Sequence, residues 1–411
     1  MSHSVGTAPR RGVVTLLTCA ALAMIALAGC ETKPKPTVQA PPPRPVVAAP
    51  PPEPIAPAPV APMVTPSGKP KIALLLPLTG RMREIGQALQ DAAELALFDG
   101  AGKDIALVPI DTGDTPDGAV AATERAIREG ANLILGPLFS ASAAVAGPVA
   151  KQANLEMISF SNDEGTAQPG LYVMGLAVDA QVRRVVDYAQ RKGVKRVVAL
   201  APATAYGGQA MQSLRDAAQR ANINVGPSET VPAAGDPDAP VKRALAAVGA
   251  DGSTTALFVP IGAPRVSAVA SSLSEADVAA RKVRLLGTGV WDVTGIGGEK
   301  ALVGAWFAGP DPARRAAFER KFQGVHGKAP PRTATLAYDA VMLAAQLARL
   351  KAGGDFSAGA ITDGGGYNGL DGRFRFRTDG RVERSLSILE IEGDRLKVID
   401  PAPGTFTSVV N

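Results

Sequence analysis

The sequence predicts an α/β protein built from two lobes, each a doubly wound parallel sheet with helices on both faces. Three observations carry this. Short, continuously apolar strand signals alternate with amphipathic helix signals from residue 71 to about residue 350. Strands of that kind are buried on both faces, as in parallel sheets covered by helices. About 340 residues follow a Pro-rich stretch, more than one small domain needs, so two lobes are expected. The closing segment alternates Phe with Arg and carries tight-turn signals, which breaks the βα rhythm and predicts an antiparallel meander at the edge of a lobe.

"KIALLLPL" (71–78) reads as the first strand, and "MREIGQALQDAAELALFD" as a helix with Ile85, Leu89, Ala92 and Ala96 on one face. "IALVPID" (105–111) is the next strand. Thr115 then serves as an N-cap with Pro116 at the first helical position, ahead of Val120, Thr123 and Ile127 on one helix face. "NLILGPL", "EMISFS" and "LYVMGL" are strands, and "DAQVRRVVDYAQRKG" is a helix with Val182, Val185, Val186 and Ala189 inward. "RVVALAP", "INVGPSETV", "ALFVPI" and "VRLLGTG" continue the strands. "GGQAMQSLRDAAQRAN", "DAPVKRALAAVGA" and "RVSAVASSLSEA" are the helices among them. After the helix "TATLAYDAVMLAAQLARL" comes the meander "GRFRFRTDGRVERSLSILEIEGDRLKVID". Crossovers between parallel strands are expected to be right-handed.

The first 29 residues are set apart from the fold. Arg10 and Arg11 precede the apolar run "GVVTLLTCAALAMIALAG", the pattern of a secretory signal peptide. It ends in Leu27-Ala28-Gly29-Cys30, which resembles the lipobox of bacterial lipoproteins and marks Cys30 for lipidation. An ordinary signal peptide with an incidental cysteine is the alternative. A twin-arginine signal would need apolar and lysine residues after the Arg pair, and they are absent. Glu31, where inner-membrane lipoproteins usually carry Asp, favours a periplasmic protein anchored in the outer membrane. Residues 31–69 are Pro-rich and are read as an extended, disordered linker with a reach on the order of 120 Å.

Composition excludes several classes. The two cysteines are Cys19, inside the signal, and Cys30, so no disulfide and no cysteine-based metal site is expected. The net charge is +5, but Lys and Arg are interspersed with acids, and no basic stripe with interleaved aromatics points to nucleic acid. After the signal the chain has one histidine, His326 in "GVHGKAPP", read as a surface-loop residue. No G-x-S-x-G elbow, phosphate-binding G-x-x-x-x-G-K or zinc-type His pair occurs, so no enzyme activity, cofactor or metal is expected.

The set "LLLPLTG" with "GQALQDAAELA", "DTGDTPDGAVAATERAIREGANLILGPLFS", "ISFSND", "AYGGQAM" and "YDAVMLAAQLA" resembles the type I periplasmic-binding-protein fold, in its leucine/isoleucine/valine-binding branch. The likeness covers nearly all of 70–400. "FSNDEG", "LYVMGLAVDAQVRRVVDYA" and "NGLDGRFRFRTDGRVERSLSILEIEGDRL" are most similar to penicillin-binding protein activators, which are outer-membrane lipoproteins. Those activators often carry an N-terminal helical repeat domain, and here a Pro-rich linker stands in its place.

The resemblance implies a non-enzymatic lipoprotein with a peptidoglycan synthase as partner. The alternative it implies is a binding protein that delivers branched-chain or related amino acids to an ABC permease. It further implies three crossovers forming a hinge, with lobe 1 at about 70–180 and 305–350, lobe 2 at about 181–304 and 351–400, and a tail over 401–411. Ligands of this fold lie in the cleft at the carboxyl ends of the strands. The match places Ser140 at a helix N-terminus, where a ligand carboxylate would sit, and Ser161 and Asn162 in the loop after the next strand. Asp163 stands where amino-acid binders have a hydroxyl. In lobe 2, Tyr206 is the candidate cleft aromatic. Gly289 occupies the position of the acid that meets the ligand ammonium, and Asp292 is the candidate substitute. Local readings stand beside these: Ser140 as a helix N-cap, Asn162-Asp163 as a turn, Tyr206 as packing against Gly207, and Trp291 as core or cleft rim.

Overall fold

Two sheets, one wholly parallel and one mixed, follow one another along the chain, and alternate side chains of their inner strands feed two different apolar layers. The computed structural model describes residues 68–406. The signal peptide, Cys30, nearly all of the linker and the last five residues lie outside the described residues.

The first sheet holds β1 (Lys71–Leu76), β2 (Ala106–Asp111), β3 (Leu133–Leu135), β4 (Met157–Ser159) and β5 (Leu171–Val173) in the order β2-β1-β3-β4-β5, all parallel. On one face Ile72, Leu74 and Leu76 pack with α1 (Arg83–Phe98) and with α9 (Pro312–His326) and α10 (Ala334–Ala348) from much later in the chain. On the other, Ala73 and Leu75 pack with α2 (Pro116–Arg128) and α3 (Ser140–Gln152). A strand buried on both sides has no polar face to show, and β1 accordingly reads as an unbroken apolar run. The Thr115 hydroxyl accepts from the Gly118 N–H at 3.0 Å with Pro116 next in line, so α2 begins where its cap signal lies.

The second sheet runs β15-β14-β10-β9-β8-β6-β7. Its parallel part is β6 (Arg196–Pro202), β7 (Asn224–Val231), β8 (Thr255–Phe258), β9 (Arg284–Gly287) and β10 (Trp306–Gly309). α4 (Val178–Arg191) and α5 (Ala205–Arg220) cover one face, while α6 (Asp238–Val248) and α7 (Arg265–Leu273) cover the other. α8 (Glu275–Arg281) is separate from α7. Ser274, at φ +47°, breaks the expected single helix, and its hydroxyl caps α8 by accepting from the Asp277 N–H.

The tail departs from the expected single meander. After the short α11 (Ala358–Ile361), β11 (Tyr367–Gly369), β12 (Gly372–Phe376) and β13 (Val382–Arg384) form their own antiparallel sheet. Tyr367, Phe374, Phe376 and Val382 sink into the core of the first lobe, and the Val173 N–H donates to Gly380 O at 2.9 Å beside β5. β14 (Ser387–Glu392) and β15 (Arg395–Asp400) instead join the second sheet, with β14 antiparallel to β10.

The lobe limits therefore need correction. β10 lies in the second sheet, so residues 305–309 belong to lobe 2, and residues 351–385 pack on lobe 1. The chain crosses between lobes after β5, after β10 and between β13 and β14. Hydrophobic periodicity identifies a strand but not the sheet it joins, because that choice is made by the partner. A further correction concerns Pro312–His326, which is helix α9, capped by Asp311 and closed by Gly327. Phe318 and Phe322, one turn apart, are its large buried apolar residues. His326 is its last residue, not a loop residue; its ring lies 4.5 Å from that of Phe322 and its Nδ1 is 3.6 Å from Asp91. Among the described residues no helix is long and apolar enough to cross a membrane.

At the first crossing Glu164, in a short turn of lobe 1, faces α4 of lobe 2. Burial and the nearby Asp179 charge push its carboxyl up to about 7, against the partial relief of Arg381 and Arg183. A carboxyl whose folded pKa exceeds its unfolded value stabilises the fold at low pH, and that contribution is lost as the pH rises from about 4.5 to about 7. Glu164→Gln is expected to raise Tm relative to the parent at pH 8 and to leave it nearly unchanged at pH 4. A Tm difference that does not vary with pH, measured by differential scanning calorimetry, contradicts this.

Candidate functional site

The loops that leave the carboxyl ends of both sheets face one another across a cleft, and between them lies a cavity of about 350 Å³. From lobe 1 the loops after β3, β4 and β5 bring Leu138 with Phe139, Phe160 with Asn162, and Gly175 with Leu176; α1 and α10 add Ile85 and Leu336. From lobe 2 come Gln181 on α4, Tyr206 on α5, and Gly289 with Val290 after β9. The strand order reverses at β1, between β2 and β3, which is the type of point where a crevice opens in a doubly wound sheet.

Two glycines make this geometry possible. Gly136 has φ +96°, and a Cβ there would lie 2.2 Å from Leu75 O, so the chain turns tightly out of β3 toward Phe139. A Cβ on Gly175 would lie 2.3 Å from Ser161 O, and this close approach joins the loops after β4 and β5, with the Gly175 N–H donating to Ser161 O at 2.9 Å.

The structure separates the expected site residues. Asn162 lies in the cavity wall, exposed, and its side-chain amide has no hydrogen-bond partner among the described residues. Tyr206 also lies in the wall, though on the first turn of α5 and not in a loop; its hydroxyl pairs with that of Thr288 at 2.6 Å, and burial pushes it up to about 12. Ser140 is not in the wall. It is the first residue of α3, while Phe139 takes the N-cap position without a side-chain cap. Ser161 is buried beneath the loop, where its hydroxyl accepts from the Asp163 N–H at 3.0 Å. Asp163 accepts from the Gly165 N–H at 3.0 Å and from Gln209 of lobe 2 at 3.1 Å, so its carboxylate is engaged outside the cavity. Trp291 is core, with its indole N–H donating to Ile261 O at 2.9 Å.

Asp292 requires a correction. It was expected to meet a ligand ammonium, but it is absent from the cavity wall and its side chain is 1% exposed. It accepts from Arg315 of α9 and, at 2.8 Å, from Arg332 Nε. Both arginines belong to lobe 1, whereas Asp292 follows β9 of lobe 2, so the carboxylate bridges the lobes. Arg332 also makes a two-pronged contact with Asp371 at 2.7 and 3.1 Å. Burial opposes the Arg332 charge, but the Asp371 and Asp292 carboxylates more than offset it and raise its pKa. Burial pushes Asp371 up, and Arg332 beside it outweighs this, leaving it below the usual carboxylate range. Asp339, behind this group, is held above that range by burial and by the Asp371 charge.

Sequence reasoning missed Gln181 and Arg332. The Gln181 Nε2 donates to Leu176 O at 2.7 Å and its Oε1 accepts from the Gly289 N–H at 2.6 Å, pinning the lobe-2 loop to the first crossing. Within "DAQVRRVV" it looks like an ordinary polar helix residue. Arg332 precedes α10 in "PPRTATLAYD", where the Pro pair signals an irregular approach to a helix but says nothing of what the guanidinium meets.

Removing one partner from a buried ion pair deprives the buried charges facing it of a counter-charge, at a cost of about 3–5 kcal/mol. Asp292→Ala is expected to lose stability on that scale by urea unfolding. A loss within about 0.5 kcal/mol, typical of a featureless surface substitution, contradicts the bridging role.

Comparison with known proteins agrees with this architecture. A curated relative, an uncharacterized protein of Rickettsia prowazekii (strain Madrid E), is 28% identical over 118 residues, which is 29% of this chain and 32% of the relative's length. The match thus spans about a third of that relative. A solved structure described as a branched-chain amino acid ABC transporter from Rhodospirillum rubrum has a TM-score of 0.71 at 16% identity, covering 80% of this chain and 100% of that one. The solute-binding protein of an ABC transporter from Rhodopseudomonas palustris BisB5, in complex with 3,4-dihydroxybenzoic acid, has a TM-score of 0.62 at 19% identity, covering 82% and 98%. The family model described as "Periplasmic binding protein" matches residues 69–395, which is most of the chain and both lobes, and the chain therefore belongs to the periplasmic binding protein family.

Proposed function

We propose that this protein is a non-enzymatic periplasmic receptor that holds a small molecule between its lobes and presents it to an ABC permease. The observation that carries this is the cavity of about 350 Å³ at the carboxyl ends of both sheets, lined mostly by apolar side chains with a few polar groups. That size and lining suit a small ligand. Solved proteins of the same fold include one described as a branched-chain amino acid ABC transporter and one holding a hydroxylated benzoic acid, which supports the transport reading. A lipid on Cys30 would keep the receptor at a membrane, with Glu31 favouring the outer one and the Pro-rich segment providing reach. In a thermal-shift panel of amino acids and organic acids, a ligand at one hundred times its Kd is expected to stabilise the chain by about 2.7 kcal/mol. Val290→Trp, which fills the cavity from its wall, is expected to abolish the shift. No shift with any compound contradicts a transport role.

A second reading, a regulator that touches a peptidoglycan synthase, is favoured by one observation. Asp292 ties lobe 2 to Arg315 and Arg332 of lobe 1 through side chains of the protein itself, as a rigid partner-binding body would require. Cross-linking in cells followed by purification of the full chain is expected, on this reading, to recover a penicillin-binding protein. Its repeated absence, with normal wall synthesis in a deletion strain, rules this reading out.

A further inference from the structure

The charge distribution of the cavity wall narrows the class of ligand. Among the described residues that form the wall, none is an Asp or Glu, and Arg332 is the one that carries a charge. The two nearest candidate acids are engaged elsewhere. Asp163 accepts from Gly165 and Gln209, and Asp292 lies between Arg315 and Arg332. An ammonium brought into this cavity would lose water and find no carboxylate in the wall to replace it, which opposes its entry.

Arg332 has room for one more acceptor. A guanidinium carries four N–H groups on its two Nη nitrogens. Those of Arg332 make three bonds, to the Thr335 hydroxyl and to the two oxygens of Asp371, which leaves one N–H without a partner among the described residues. The Asn162 amide, in the same wall, is also unpartnered and supplies a neutral donor. The rest of the wall is chiefly apolar and suits a hydrocarbon body.

We infer that the cleft takes a compact apolar monocarboxylate that carries no ammonium, and that Arg332 is the residue that selects its carboxylate end. This rests on the reading of the chain as a small-molecule receptor.

The test uses the purified full-length chain and two matched trios followed by isothermal titration: 4-methylpentanoate, leucine and 4-methylpentanamide; 3-phenylpropanoate, phenylalanine and 3-phenylpropanamide. In at least one trio the acid is expected to bind at least about tenfold tighter than both the amino acid and the amide, the scale of one good charge-assisted contact. An amino acid that binds as well as its acid overturns the inference and leaves the receptor reading standing. Silence of all six compounds at millimolar concentration overturns both. Arg332→Gln is expected to erase the preference for acid over amide, but it also breaks a buried ion pair. Asn162→Asp, at an exposed position without a side-chain hydrogen bond, adds a carboxylate to the wall and leaves the ion pair intact. It is expected to weaken the acid by about tenfold and the amide much less. Equal effects on both overturn the role of charge in selection.

Discussion

The contact on which the relation of the lobes depends is the carboxylate of Asp292, held by Arg315 on one side and Arg332 on the other. Its side chain is 1% exposed, so contacts with the two guanidinium groups take the place of the water it lost. Arg332 is held by Asp371, at the turn between β11 and β12, and Arg315 by Glu319 one helical turn away. Asp371 in turn sits against Asp339 of α10, which accepts the Leu370 N–H at 2.8 Å. A single lobe-2 residue is thereby connected to three late elements of lobe 1. The same pairing decides the chemistry of the cleft. With Asp292 bound to arginines, the cavity next to it has no acid, and its charge is that of Arg332.

Those late elements explain why lobe 1 is completed only near the end of the chain. β1 offers Ile72, Leu74 and Leu76 to a layer that α1 alone does not cover, and α10 and the small sheet β11–β13 close it. The Tyr172 and Phe376 rings, 5.3 Å apart, join the edge of the first sheet to that small one. The chain must therefore return to lobe 1 after building most of lobe 2, and cross back once more to add β14 and β15. The first crossing, after β5, lies beside the cleft and carries the cavity-wall residues Gly175 and Leu176.

Much of the fold was legible because it is local. Apart from the polar edge strand β7, strands β1 to β10 are mainly short apolar runs between turn signals, and the helices between them show one apolar face with caps such as Thr115 and Thr204. Two local features were misread. In α9 the buried side is little more than Phe318, Phe322 and the charged Arg315, so periodicity was weak although Asp311-Pro312 and Gly327 marked both ends. In α7–α8, apolar spacing ran on through a backbone break at Ser274. The family motifs led to the correct loops, and Asn162 and Tyr206 do lie in the wall. They did not separate Asn162 from its neighbour Ser161, which points beneath the loop, because adjacent loop residues turn in directions that only the backbone sets.

The sequence by itself determined the α/β class, the two parallel sheets, the loop positions at which a cleft opens and the scarcity of groups for covalent or metal chemistry. These depend on side-chain periodicity and residue type over short spans. The tertiary structure decided which lobe β10 and the closing strands join, that Asp292 is buried between Arg315 and Arg332, and that Arg332 gives the cavity its charge. Asp292 and Arg332 are 40 positions apart, and the pairing of two charges between the lobes leaves no period, spacing or cap in the sequence. It arises only when packing withdraws both from water and brings them within 2.8 Å of each other.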